Sequence, residues 1–370
     1  SQVLTVDYLG ALAVSIAFPL LLMPHLGLLR TGLLFGLLNV VVGLWTLWLF
    51  RYQIAAPTPL WLLGGGVMLA LLTGFAQAGR VTTAAEAYQF QAPVVLSADS
   101  PYQRIAITRR NGQLRLYLNG NLQFAQSDEY RYHEALVHPA MSGYANGGAP
   151  RKVAVLGGGD GMAVREILKY PGVESITLIE LDPNMTRLFG TDPLLTPLNA
   201  NSLNHPKVRI VNADAFTWLQ ENDDIFDVIV VDFPDPTNFS VGKLFTNSFY
   251  SLLDSRLAQG GYAVVQTTSP LIARKSFWTV VQTIESVGLT ATPYHAHVPS
   301  FGEWGFVIAS RRPYRLPQQL PAELKFLDVK TLPQLFDFPP DMARVPAEVN
   351  RLASQVLVRT YEEEWGRVLK

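Results

Sequence analysis

The stretch VIVVDFPDPTNF, residues 228–239, sets Asp232 and Asp235 directly after a run of apolar residues. A carboxylate at the end of a buried strand either caps the next turn or meets a cation. Other acids stand in comparable places: Asp160 inside the glycine loop VLGGGDG, Glu180 at the end of SITLIE, and Asp214 in NADA. Such groups can accept hydrogen bonds from hydroxyls and amines, neutralise ammonium groups, or take a proton from a nucleophile.

Glycine lets a backbone pass close to a ligand without a side-chain clash, which is the use expected of Gly157 and Gly159. The loop does not follow the dinucleotide spacing, because Met162 stands where the third glycine belongs, and Asp160 would repel a pyrophosphate. Glu180 lies where adenosine-binding sheets hold the ribose hydroxyls; the alternative is a helix cap shared with Asp182. Asp214 can accept a hydrogen bond from an adenine amino group, cap the following helix, or do both. Asp160, Glu180 and Asp214 together outline an adenosyl site. S-adenosylmethionine carries a carboxylate beside its sulfonium and ammonium, whereas its decarboxylated form is purely cationic. Asp160 suits the decarboxylated form and, with Asp232 and Asp235, gives a pocket that wants polycations.

The elements that must position these residues are legible from Arg151 onward. The segments KVAVLGGGDGMAVREIL, SITLIELD, VRIVNADAFTWL, FDVIVVDFPDP, YAVVQTT and GFVIAS set short apolar strands in alternation with helices and predict an α/β, doubly wound, Rossmann-like sheet of the methyltransferase type, mostly parallel. Ligands on such sheets sit beyond the carboxyl ends of the strands, where the acids lie. Upstream, residues 104–125 alternate around Asn111-Gly112 and Asn119-Gly120 and read as a small antiparallel meander. A helix is expected from Ser127 or Asp128. The closing residues, including LPQLFDFPPDM and a helix rich in Glu and Arg, offer no chemistry.

The N-terminal region is of another kind. No formal charge separates Asp7 from Arg30, Arg30 from Arg51, or Arg51 from Arg80. Each run is long enough for a bilayer, which takes roughly 20 apolar residues. Three spans follow, with kinks expected at Pro19 and Pro24 and the third loosened by Gly64 to Gly66. Arg30 and Arg80 on one side against Arg51 on the other favour a cytoplasmic catalytic part. The spans carry no charged pair of the kind that marks an ion path, so they read as an anchor. The chain opens with Ser1 almost directly into a span and is expected to belong to a longer protein. The domains expected are transmembrane helices at 1–85, a small β domain with its connecting helix at 86–145, the catalytic domain at 146–311 and a helical tail at 312–370.

Composition narrows the function. A net charge of −1 leaves no basic stripe for nucleic acid. The absence of cysteine excludes disulfides, thiolate catalysis and Cys-ligated metal. His133 and His138 in HEALVH are five apart rather than the four that puts both imidazoles on one helical face, so no zinc helix is read there. His295 and His297 alternate without a third ligand.

The pieces SPYQ, LQFAQSDEYRYHE, GGGDG, IELD, NADA, DFPDP and LFTNSFY, in this order from Ser100 to Ser310, resemble the spermidine synthases, or polyamine aminopropyltransferases. The hydrophobic front end looks like a membrane-bound branch. The resemblance implies that Gln103, Asp160, Glu180, Asp214 and Ala215 bind decarboxylated S-adenosylmethionine, a co-substrate, with no tightly bound cofactor. It implies that Tyr132, His133, Asp232 and Asp235 hold the amine acceptor, that Asp232 takes its proton, and that the chain forms homodimers. The departures touch the acceptor side more than the donor side: Phe233 and Pro234 between the acids, and Phe301 and Trp304 where the family often has a substrate-contacting tyrosine, against Phe239 in place of a proline that normally touches the nucleoside and Met162 for a glycine after GGGDG. The expected reaction is aminopropyl transfer to a diamine such as putrescine. The competing readings are another transferase acting on a different amine, and a catalytically silent polyamine sensor.

Overall fold

The computed structural model describes residues 2–54, 56–144 and 148–368. They form two compact units, 1–122 and 123–370.

In the first unit, the stretches Leu4–Leu22, His25–Leu49 and Thr58–Gln89 are helical, long enough and apolar enough to cross a membrane. The break between the first two does not fall at Arg30, as the charge pattern suggests. It falls at a π-helical turn, Phe18–Leu22, with Pro19 in its first positions, and at Gly27, whose φ of 73° leaves the helical region. Proline withholds a backbone donor and glycine alone accepts the left-handed backbone cheaply, so the local chain chemistry overrides the charge spacing. The second and third helices run antiparallel with small residues at their seam. Leu71 lies 3.4 Å from where a Cβ on Gly36 would be, and Leu33 lies 3.6 Å from that of Gly74. Side-chain absence permits this close approach.

Behind these helices comes a four-stranded sheet of β1 (Val94–Asp99), β2 (Arg104–Arg110), β3 (Gln113–Leu118) and β4 (Asn121–Ala125), in that order. The expected turns are present, with positive φ at Asn111, Gly112, Asn119 and Gly120, as tight hairpins require. Arg104 on β2 is paired with Glu86 and with Asp99, the latter at 2.9 Å, which ties the strand to the preceding helix.

The second unit is built on a seven-stranded sheet. Its strands are β5 (Lys152–Gly157), β6 (Ser175–Glu180), β7 (Val208–Asn212), β8 (Phe226–Asp232), β9 (Leu257–Gln266), β10 (Thr290–Val298) and β11 (Gly302–Ser310). The spatial order is β7-β6-β5-β8-β9-β11-β10, parallel through β9 and antiparallel at β11 and β10. The central strands β5 and β8 read as continuous apolar runs because both of their faces are covered. Val153–Leu156 and Val228–Val231 are fully buried. The chain steps from β5 outward to β6 and β7, then returns to β8 on the other side, so the β5/β8 seam is the topological switch point.

The tail is pinned to this unit. Asn350 Nδ2 donates to the carbonyls of Gly242 and Phe245, its N–H donates to Thr283 Oγ1, and its Oδ1 accepts from Leu357 N–H. The closing helix Val356–Val368 buries Val356, Leu357 and Val358.

Candidate active site

Most of the predicted residues converge at the carboxyl edge of the parallel strands. Gly157 and Asp232 are register partners at the ends of β5 and β8, and Glu180 pairs with Asn212 at the ends of β6 and β7. Gly157 has φ 81°, and any Cβ there would collide with the Asp232 carbonyl. A Cβ on Gly159 would stand 2.7 Å from Glu180 Oε2. The loop is glycine because these two acids close in on it from either side.

Glu180 accepts from Gly159 N–H at 3.1 Å and from Asp182 N–H at 2.9 Å. Of the two acids that could cap the helix Pro183–Thr191, Asp182 does so, accepting from Asn184 N–H. Burial pushes the Glu180 carboxyl up to about 7; the Asp182 and Asp160 charges add to this, against the two N–H bonds. Asp160 Oδ1 accepts from Met162 N–H at 2.9 Å, and its carbonyl accepts from Asn199 Nδ2. Met162 is fully buried and opens the helix Met162–Ile167.

Asp214 caps the helix Ala215–Glu221, with Phe216 N–H at 3.0 Å and Thr217 N–H at 3.1 Å on Oδ1, while Oδ2 pairs with Lys243 Nζ at 2.7 Å. Burial raises its carboxyl, but Lys243 and the backbone donors outweigh this and hold it below the usual range. Capping, one of the two roles open to Asp214 from its sequence position, is therefore made here. Ala215 is the buried first residue of that helix. Gln103 belongs to the first unit, in the turn between β1 and β2, where its carbonyl accepts from Ser100 N–H.

The helix Glu129–Tyr144 brings the Tyr132 hydroxyl to Asp232 Oδ1 at 2.6 Å. Burial pushes the Asp232 carboxyl up to about 6, with Asp160 adding to the effect and the His133 charge and the Tyr132 hydrogen bond opposing it. Burial likewise drives the Tyr132 hydroxyl well above its ordinary value, reinforced by Asp232. The Tyr132 ring packs 5.5 Å from Phe306 and 6.4 Å from Phe301, and Phe301 lies 5.2 Å from Trp304.

His133 is buried with its Nδ1 hydrogen-bonded to Glu129 Oε2 at 2.8 Å, and Glu129 is gripped by the two terminal nitrogens of Arg165 at 3.0 and 2.9 Å. Burial disfavours the imidazolium, yet Glu129 overrides it and raises His133 to about 9. His138 goes to other partners, Glu166 and Tyr170, and His295 and His297 both meet Glu303.

Asp235 has two unlike oxygens. Oδ2 accepts from the Tyr361 hydroxyl at 2.7 Å. Oδ1 is shut off from solvent and has no hydrogen-bond partner among the described residues. Burial pushes this carboxyl up to about 7, against the Tyr361 bond.

Phe233 does not fill the space between the acids, contrary to its reading as an acceptor-side change. Its ring is buried, 6.3 Å from Phe245 and 5.7 Å from Phe249, because alternation along the extended segment sends it to the face opposite Asp232. Its carbonyl accepts from Gln266 Nε2, and Gln266 Oε1 in turn accepts from Trp304 Nε1 at 3.0 Å. Pro234 is exposed, as is Phe239. The sequence reading missed Tyr361, Gln266, Lys243 and the Glu129–Arg165 pair. Only Tyr361 left a trace, as one of two aromatics, with Trp365, on one face of the closing helix.

The arrangement offers an acidic edge of Asp160, Glu180, Asp232 and Asp235 for cationic groups, and a Tyr132–Asp232 pair able to receive a proton from a nucleophile. The spermine/spermidine synthase domain matches residues 129–318. A polyamine aminopropyltransferase of Leptospira interrogans is 48% identical over 369 residues, covering 100% of this chain and 74% of the relative. Polyamine aminopropyltransferase 2 of Ralstonia nicotianae is 51% identical over 377 residues, covering 100% of this chain and 73% of the relative. A crystal structure of spermidine synthase in complex with the transition-state analogue AdoDATO superposes with a TM-score of 0.61 at 27% identity, covering 66% of this chain and 85% of that one. The chain belongs to the spermine/spermidine synthase family, as an enzyme of the polyamine aminopropyltransferase class.

Proposed function

We propose that the protein transfers the aminopropyl group of decarboxylated S-adenosylmethionine to a diamine such as putrescine, giving spermidine or a related polyamine and methylthioadenosine. The observation that carries this reading is Asp235 Oδ1, a buried carboxylate oxygen without a hydrogen-bond partner among the described residues, close in the chain to the hydrogen-bonded Asp232. An unsatisfied buried acceptor of this kind costs stability until a donor arrives, and an ammonium is the donor that also neutralises it.

In this reading Glu180 holds the ribose hydroxyls, Asp214 and Ala215 meet the adenine, and Asp160 with the backbone of Gly157 and Gly159 faces the cationic tail. The acceptor nitrogen lies against Tyr132 and Asp232, with His133 behind them. It attacks the carbon next to the sulfonium; the new C–N bond forms as the C–S bond breaks, and methylthioadenosine leaves neutral. The ammonium proton passes to the Asp232 carboxylate, which acts largely by position, since a carboxylate is a weak base for an alkylamine. Asp235 holds an ammonium of the acceptor.

The apolar helices support a chain that crosses the bilayer three times with the catalytic unit on the cytoplasmic side. Homodimer formation belongs to the same reading, and its measure is the mass of the detergent-solubilised protein. The reaction is tested by incubating purified protein with decarboxylated S-adenosylmethionine and a panel of amines, with methylthioadenosine followed by mass spectrometry. Release with diamines is expected. No release with any diamine, at protein concentrations that bind the donor, overturns the reading.

A further inference from the structure

The closing helix lies beyond residues 129–318, the part matched by the family domain, yet it reaches the acidic edge. It does so from a fixed seat. Glu364 accepts from the N–H groups of Lys275 and Ser276 and from the Ser276 hydroxyl at the start of the helix Arg274–Glu285. Trp365 Nε1 donates to Thr268 Oγ1 at 3.0 Å. Val358 packs so closely on Gly242 that a Cβ there would have no room. From this seat the Tyr361 hydroxyl donates to Asp235 Oδ2 at 2.7 Å.

We propose that Tyr361 is a positioning residue for the acceptor amine: its hydroxyl holds Asp235 by Oδ2 and so presents Oδ1 to an ammonium. The idea rests on Asp235 being the ammonium anchor of the proposed reaction. A carboxylate on a loop can rotate about its side-chain bonds and offer either oxygen to solvent or ligand. Tying one oxygen to a helix that is itself hydrogen-bonded at Glu364 and Trp365 removes that freedom before the amine arrives, so less entropy is lost on binding. The bond also favours the ionised carboxylate, the form an ammonium needs. Facing Asp235 are Tyr361 on the closing helix and, by longer-range charge interaction, Tyr132 on the helix Glu129–Tyr144.

The test is Tyr361→Phe, which keeps the ring and its packing 6.0 Å from Trp365 and removes only the hydroxyl. Steady-state kinetics with a diamine and decarboxylated S-adenosylmethionine are compared with calorimetric binding of the diamine. KM for the amine is expected to rise about tenfold, with kcat and the donor KM within about threefold of the parent. The acidic limb of kcat/KM for the amine is expected to move to higher pH, because Asp235 loses a bond that favours its ionised form. Trp365→Phe removes a hydrogen bond of the same helix without touching Asp235 and is expected to leave that limb in place. The proposal is overturned if Tyr361→Phe binds and uses the amine like the parent, or if Trp365→Phe shifts the limb equally. Asp235→Asn separates the two levels. If it raises the amine KM while Tyr361→Phe does not, only the role of Tyr361 falls. If Asp235→Asn leaves amine binding unchanged, the anchor assignment falls and the role of Tyr361 falls with it.

Discussion

The Tyr132 hydroxyl donates to Asp232 Oδ1 at 2.6 Å, joining two residues 100 positions apart in the chain. The bond sets the tyrosine from the first helix of the second unit against the last residue of β8. It leaves Asp232 Oδ2 toward the glycine loop, 3.0 Å from where a Cβ on Gly158 would be. A carboxylate held this way has one oxygen committed to orientation and one available for a proton.

Replacement of Asp232 by Asn removes the proposed proton acceptor while keeping the shape. We expect kcat to fall by about 10²-fold or more, with donor affinity, measured by calorimetry, within a few fold of the parent. Normal turnover by this variant would show that the base lies elsewhere.

Tyr132→Phe deletes the bond to Asp232 without opening a large cavity. The hydrogen bond favours the ionised carboxylate, so its loss moves Asp232 upward from about 6. The acidic limb of the kcat profile is expected at higher pH, and kcat at neutral pH to drop about tenfold. An unmoved limb would detach Tyr132 from the titration of Asp232.

Binding of a cationic amine should depend on pH with a definite sign. Asp232 at about 6, Asp235 at about 7 and Glu180 at about 7 are partly neutral near pH 6 in the free protein. A cation favours their ionised forms, so binding releases protons and affinity rises with pH until it levels off above about pH 8. Calorimetry in two buffers of different ionisation enthalpy measures the protons released. Uptake rather than release at pH 6.5 would contradict the assignment.

Stability should carry the signature of the His133–Glu129 pair. His133 is raised from 6.5 to about 9, so its contribution is full below 6.5 and is lost as pH climbs through 9. Glu129 is lowered from 4.5 to about 2, so its contribution is present above 4.5 and is lost as pH falls through 2. Both shifts describe one interaction and are counted once, at about 3 kcal/mol. Thermal unfolding should show a falling Tm between pH 7 and 9.5 that flattens in His133→Gln. An equally steep fall in that variant would assign the loss to other groups.

The location of the first helices can be read by protease protection. With the catalytic unit on the cytoplasmic face, a protease added outside intact cells should leave it whole, whereas inverted membrane vesicles should expose it. The opposite pattern would reverse the orientation inferred from Arg30, Arg51 and Arg80.

Much of the second unit can be read in the linear chain, because short apolar runs ending in an acid are what a parallel sheet buried on both faces requires. The runs before Glu180 and Asp232, the glycine loop ahead of Asp160 and the Asn-Gly turns of the small sheet are all local signals, and each appears where it was expected. The first helices were also legible as apolar runs. The irregular turn at Pro19 falls where a kink was expected, whereas charge placed the end of the first span at Arg30 and the backbone leaves the helical region earlier, at Gly27.

The amino-acid sequence by itself determined the sheet and the acids that stand at its strand ends, since periodicity and charge are properties of neighbouring residues. Tertiary structure alone decided how each acid is used. Packing turned Phe233 inward against Phe245 and Phe249, Lys243 took one oxygen of Asp214, and Asp182 relieved Glu180 of capping. It also carried Tyr361 across 126 positions to Asp235. Contacts of such separation depend on which faces bury together, and no spacing along the chain encodes them.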